Sequence, residues 1–122
     1  MVIVRSTTGH TFGAYASAPW ASGDGSSYTN TAGCFLFLVE NPHNDAPTCF
    51  DCTDTTQAMY CDPNYGPTFG GGHDFCIFEG GDGARSYTNF SYSYADTLGR
   101  GNATFTGARD FTSEDYEVWA VN

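Results

Sequence analysis

No stretch of this chain repeats apolar side chains at the three- and four-residue spacing that lets a helix bury one face. Apolar residues come instead in short aromatic and β-branched runs cut by glycine. Eight Tyr, ten Phe and two Trp supply side chains that pack well on a pleated surface, and fifteen Gly mark turns at close intervals. That combination predicts a mainly β fold, an antiparallel two-sheet β-sandwich with long loops and at most one or two short helices. Irregular strand spacing favours the sandwich over an up-and-down barrel. With 122 residues, one hydrophobic core is expected, in a single domain spanning 1–122.

Along the chain, VIVR at 2–5, STTGH at 6–10 and TFGAY at 11–15 read as strand, turn and strand, with Gly9 supplying the positive φ of the turn. A polar loop at 22–27 leads into GCFLFLV at 33–39, whose unbroken apolar character predicts a strand buried on both faces in the middle of the domain. Residues 41–68 turn to Pro, Asn, Asp, Cys and Thr, the composition of a long loop with at most one helical turn near 55–60. Strand character returns in DFCIF at 74–78, breaks at EGGDG at 79–83, and resumes in ATFT at 103–106 and YEVWAV at 116–121. SYTNFSYSY at 86–94 fits either a loop or an edge strand.

Four Lys+Arg against fourteen Asp+Glu give a net charge of −10, and the four cations, Arg5, Arg85, Arg100 and Arg109, are scattered. Nucleic acid and anionic membranes demand grouped positive charge and are excluded as partners, whereas a protein with basic patches is accommodated. The longest apolar run, 34–39, is far short of the ~20 residues of a membrane-spanning helix. The first residues show no basic segment followed by an apolar stretch, and the Asn-x-Ser/Thr matches at Asn89 and Asn102 are read as chance. An intracellular or organellar location is expected over a secreted one, with the compartment left open.

PTFGGGHDF at 67–75 raises the question of chemistry. A phosphate loop would continue into a helix with a nearby Lys, but the chain has no lysine and the following residues alternate as a strand. The glycines read as a bulge where a strand bends close to another backbone, and His73 beside Asp74 reads as a surface pair without a metal-ligand spacing to His10 or His43. Cys49 and Cys52 form a C-x-x-C, with Cys61 beyond and His43 before. These four would be a zinc set, yet the single Cys61 leaves the second knuckle incomplete. A redox C-x-x-C belongs at a helix start, whereas here Asp51 and Asp54 would raise the thiol pKa. A disulfide or ordinary thiols rank first, zinc second and redox catalysis third. No G-x-S-x-G elbow is present, Glu114, Asp115 and Glu117 read as a solvated strand edge, and Asp82 lacks the spacing of a calcium loop. No catalytic residue and no cofactor is expected.

Taken in order, GHTFGAY at 9–15 with Trp20, GCFLFL at 33–38, FGGG at 69–72 running into DFCI at 74–77, and EVW at 117–119 resemble the TLDc domain over nearly the whole chain. The resemblance implies two packed antiparallel sheets with a few helices, in a family associated with oxidation resistance and with binding the vacuolar proton pump, and without agreed catalytic residues. It makes Gly70, Gly71 and Gly72 backbone-shape positions and Phe12, Trp20, Phe35, Phe37 and Trp119 packing positions, with Gly13 and Glu117 inside matched motifs. The family's domain has a further, largely helical N-terminal part before the strand that resembles 2–5. An N-terminally incomplete domain is therefore expected, with a partner over its exposed apolar face. The cysteine-rich 49–61 segment is not part of the family pattern. The leading expectation is a non-catalytic protein-interaction module, a peripheral or accessory subunit docking to a larger complex. The alternatives are a peroxide-handling protein using Cys49 and Cys52, and a module stabilised by zinc on His43, Cys49, Cys52 and Cys61.

Overall fold

The computed structural model describes residues 1–18, 27–61, 66–77 and 86–118. Trp20, Trp119, Asp82, the 79–83 break and the last residues of the 116–121 strand lie outside them. The described residues form two antiparallel sheets. The first has the order β11-β1-β2-β4-β5, from β1 (Val2–Ser6), β2 (Thr11–Tyr15), β4 (Phe35–Glu40), β5 (Thr48–Asp51) and β11 (Ser113–Val118). The second has the order β10-β9-β8-β7-β6-β3, from β3 (Ser27–Thr29), β6 (Met59–Cys61), β7 (Thr68–Phe69), β8 (Phe75–Cys76), β9 (Ser86–Tyr87) and β10 (Asp110–Phe111).

The first hairpin forms as its composition demands. Gly9 takes φ +87° in the turn, its N–H donates to the Ser6 carbonyl at 3.0 Å, and Val2, Val4, Phe12 and Ala14 alternate inward. Gly13 faces outward opposite Phe37, whose ring occupies the space a Cβ would take. An aromatic side chain thereby shields a strand glycine from water.

The core lies between the sheets. Phe12 from β2 meets Phe75, Phe105 and Phe111 at ring-centroid distances of 5.8, 5.2 and 5.1 Å, and Phe50 from β5 meets Phe90 at 5.0 Å. Most of these contacts are edge-on or tilted, the arrangement favoured by the ring quadrupoles.

Three expectations are corrected. β4 lies one place from the sheet edge and is closed on one face only: Leu36 and Leu38 are buried, Phe35 and Phe37 half-buried, and Val39 is 42% exposed. The 41–68 stretch is not simply a loop, because it holds β5 and β6, while the helical turn expected near 55–60 is present as a short 3-10 helix, Thr55–Gln57. Its strands are short, and their few apolar residues are hidden among turn formers. Residues 103–106 are not a strand: a 3-10 helix, Gly101–Ala103, precedes Phe105, which drops as a plug into the core against Phe12, Phe50, Phe75 and Phe90. Gly101 at φ +54° and Gly107 at φ +89° bracket this segment and keep it from extending.

Candidate functional site

The glycines at 70–72 form the turn between β7 and β8. Gly70 adopts φ +92°, and a side chain there would collide with the Asp74 carboxylate. One at Gly71 would meet the Gln57 amide, and one at Gly72 the Tyr92 ring. The backbone is gripped from both sides. The Gly70 N–H donates to the Ala58 carbonyl at 3.0 Å and the Gly71 N–H to Ser93 Oγ at 2.8 Å. The Gly71 carbonyl accepts from Tyr28 Oη and the Gly72 carbonyl from Asn89 Nδ2, each at 2.8 Å. These two N–H groups, which a phosphate cradle would aim at its ligand, are engaged within the protein.

His73 and Asp74 are not a surface pair. Asp74 is fully buried, and its carboxylate accepts from the N–H groups of Tyr92 at 2.7 Å, Ser93 at 2.9 Å and Tyr94 at 3.0 Å. Burial pushes this carboxyl up, and the three N–H donors pull against that rise. The carboxylate thus fastens the 92–94 segment to the glycine turn. His73 sits at φ +58° and shares a 2.6 Å hydrogen bond between Nδ1 and Tyr87 Oη. Its ring packs between Tyr60 and Tyr87, and the Arg109 guanidinium lies 4.7 Å over the Tyr87 ring.

The structure disperses the C-x-x-C. Residues three apart on a strand point to opposite faces, so Cys49 is exposed on the outer face of β5 while Cys52, just past the strand, turns inward. Cys52 is half-buried, and its Sγ donates to the Asp54 carbonyl at 3.4 Å. Burial pushes the Cys52 thiol up. Cys61 is buried in the other sheet beside Thr29, and His43 Nε2 lies 2.7 Å from the Ala103 carbonyl. The residues proposed as a zinc set are therefore in separate places, and no three His, Cys, Asp or Glu converge among the described residues.

Cys52 has a different neighbour. The β4–β5 register ends with Phe35 opposite Asp51, and one residue beyond each strand the Cys52 N–H donates to the Cys34 carbonyl at 3.3 Å, which sets Cys34 across from Cys52. Both thiols neighbour the Tyr94 phenol, which burial pushes far up and whose O–H donates to the Ala58 carbonyl at 2.7 Å. Composition gives no hint of this pairing, which follows only from the strand register.

Among the described residues, the outer face of the first sheet carries a run of partly exposed apolar side chains. Alternation and register place Ile3, Gly13, Tyr15, Phe35, Phe37, Val39 and Cys49 on it. Tyr15 stacks on Phe35 at 5.2 Å and Phe35 leads to Phe37 at 6.4 Å, so the rings form a continuous strip. A depression of about 300 Å³ opens beside it, lined by Met1, Phe35, Phe37, Val39, Pro47 and Cys49 among others. Carboxylates border the strip: Asp51 on β5, Glu117 on β11, and Glu40 at the end of β4, all exposed. Phe12 and Leu36 go to the core, so neighbouring members of the sequence motifs divide between packing and surface. Ile3, Tyr15, Val39 and Asp51 join this face only through register.

No curated protein sequence and no solved structure matches the chain. The family model that does match is that of the TLDc domain, over residues 1–122. The chain belongs to the TLDc family.

Proposed function

We propose that this chain is a non-catalytic docking module, a peripheral or accessory subunit of a larger assembly, and that the outer face of its first sheet is the contact surface. The observation that carries this reading is the apolar strip through Ile3, Tyr15, Phe35, Phe37 and Val39, bordered by Asp51, Glu117 and Glu40. Completing the burial of half-exposed side chains like these contributes on the order of 1 kcal/mol each, against an association cost of several. Apolar contact must therefore be joined by charge pairing at the rim. Among the described side chains Arg5 brings positive charge to this face, and the chain as a whole carries −10. The complementary partner is an amphipathic segment whose apolar stripe is edged with Lys or Arg.

Support for a non-catalytic role comes from the residues closest to a catalytic pattern. Asp74 is occupied by backbone N–H groups, His73 is held by Tyr87, and Cys49 and Cys52 point to opposite faces. Membership of the TLDc family supports an oxidation-resistance setting and makes the vacuolar proton pump the first assembly to test.

Two helical peptides with the same leucine stripe, one edged with lysine and the other with glutamate, separate this reading from its rivals. In amide chemical-shift mapping, the lysine peptide shifts Ile3, Phe37 and Val39, and the glutamate peptide does not. Shifts confined to the second sheet, or equal shifts with both peptides, overturn the assignment of this face.

A further inference from the structure

We propose that Cys34 and Cys52 are an oxidisable pair that closes to a cross-strand disulfide between the ends of β4 and β5. Residues directly opposed across a hydrogen-bonded antiparallel pair have Cα atoms ~5.5 Å apart, within the ~4.4–6.8 Å that a disulfide spans. Both side chains project to the inner side, since their neighbours Phe35 and Asp51 face outward. Both sulfurs also neighbour the one buried Tyr94 phenol. Cys34 Sγ also accepts from the Ser17 N–H at 3.4 Å, which fixes its side chain toward this end of the sheet.

None of the other three cysteines competes from its place in the fold. Cys49 lies on the opposite face of β5, whereas Cys61 and Cys76 are buried in the second sheet. Cys76 is further engaged by Thr68 Oγ1 at 3.3 Å.

The oxidant is a hydroperoxide, in the simplest case hydrogen peroxide. Cys52 reacts first, because it is half-buried at the end of an edge strand while Cys34 is 2% exposed. Its thiolate attacks one peroxide oxygen, the O–O bond breaks, and the departing hydroxide takes up a proton to leave as water, giving Cys52 sulfenic acid. The Cys34 sulfur then attacks the Cys52 sulfur. The S–S bond forms, the S–O bond breaks, and the leaving hydroxide leaves as water with the Cys34 proton. Two thiols are oxidised by two electrons, one peroxide is reduced, and two waters are released. Since the attacking species is the thiolate and burial holds the Cys52 thiol above its ordinary value, closure is slow at neutral pH and speeds up as pH rises. The pair therefore registers sustained peroxide exposure and is not a turnover site. The product is an edge strand tied to its neighbour.

The reduced full chain, freed of reductant, is treated with hydrogen peroxide at neutral and mildly alkaline pH, quenched with a maleimide and mapped by peptide mass spectrometry. The expected product has lost two alkylatable thiols and contains a peptide linking Cys34 to Cys52, formed faster at the higher pH. Cys52→Ser abolishes the link, and Cys49→Ser leaves it. A Cys49–Cys52 link, sulfinic acid at Cys52 without any link, or five alkylatable thiols in the treated folded protein overturns the proposal. The mapping is made on the native sequence, so it holds even where a Cys34 variant fails to fold.

Discussion

Asp74 shows how one residue can decide the path of a distant segment. Its carboxylate collects the N–H groups of Tyr92, Ser93 and Tyr94, eighteen to twenty residues further along the chain, and occupies the space that a side chain at Gly70 would need. Asp74→Ala leaves these three N–H groups without their charged acceptor inside the protein. Loss of such a charge-assisted cluster costs about 3–5 kcal/mol, read as a lower urea midpoint at unchanged slope. A change within error of zero would show that the 92–94 segment is held by other contacts. A side chain at Gly70, Gly71 or Gly72 would collide with Asp74, Gln57 or Tyr92. The sequence hid the role of Asp74, because the donors that wrap the carboxylate come from a stretch with no local signature.

At the scale of elements, strand character was legible where apolar residues alternate over five positions, as in β1 and β2. β5 and β6 escaped notice because three or four residues among Pro, Asn and Asp give no period to read. The same limit hid the partner of Cys52: a C-x-x-C suggests a local pair, but in a strand the motif separates its thiols across the sheet. The segment between β4 and β5 is tied down electrostatically. Arg100 Nε donates to Asp45 Oδ2 at 2.6 Å and its Nη2 to Oδ1 at 3.0 Å, and this bidentate bond holds the Asp45 carboxyl below its ordinary value of 3.8. A depressed folded pKa means the folded chain releases this proton more readily than the unfolded one. The stabilisation is therefore complete above the unfolded value and fades as pH falls through the folded one. Thermal melts of the native sequence and of Arg100→Ala should differ at neutral pH and draw together in acid below pH ~4, with the gap narrowed by salt. A gap that persists unchanged in strong acid would place the effect of Arg100 elsewhere.

For the whole molecule, the two-sheet architecture was legible in the sequence, and the orientation of its apolar strip was not. A run such as CFLFLV at 34–39 is equally compatible with a strand closed on both faces and with one whose outer residues await a partner. Only the sheet order and the exposure of Val39 decide between them. The measurement that tests the account most directly is the affinity of the full chain for the purified vacuolar proton pump, compared across three single variants confirmed as folded by circular dichroism. Phe37→Glu and Val39→Glu, on the strip, should each weaken binding by about tenfold or more, as removal of a central contact does. Tyr92→Ser, beside the 70–72 turn and 65% exposed, should leave it unchanged. Binding that survives both strip variants, or that is lost only with Tyr92→Ser, would contradict the claim that this protein docks through the outer face of its first sheet.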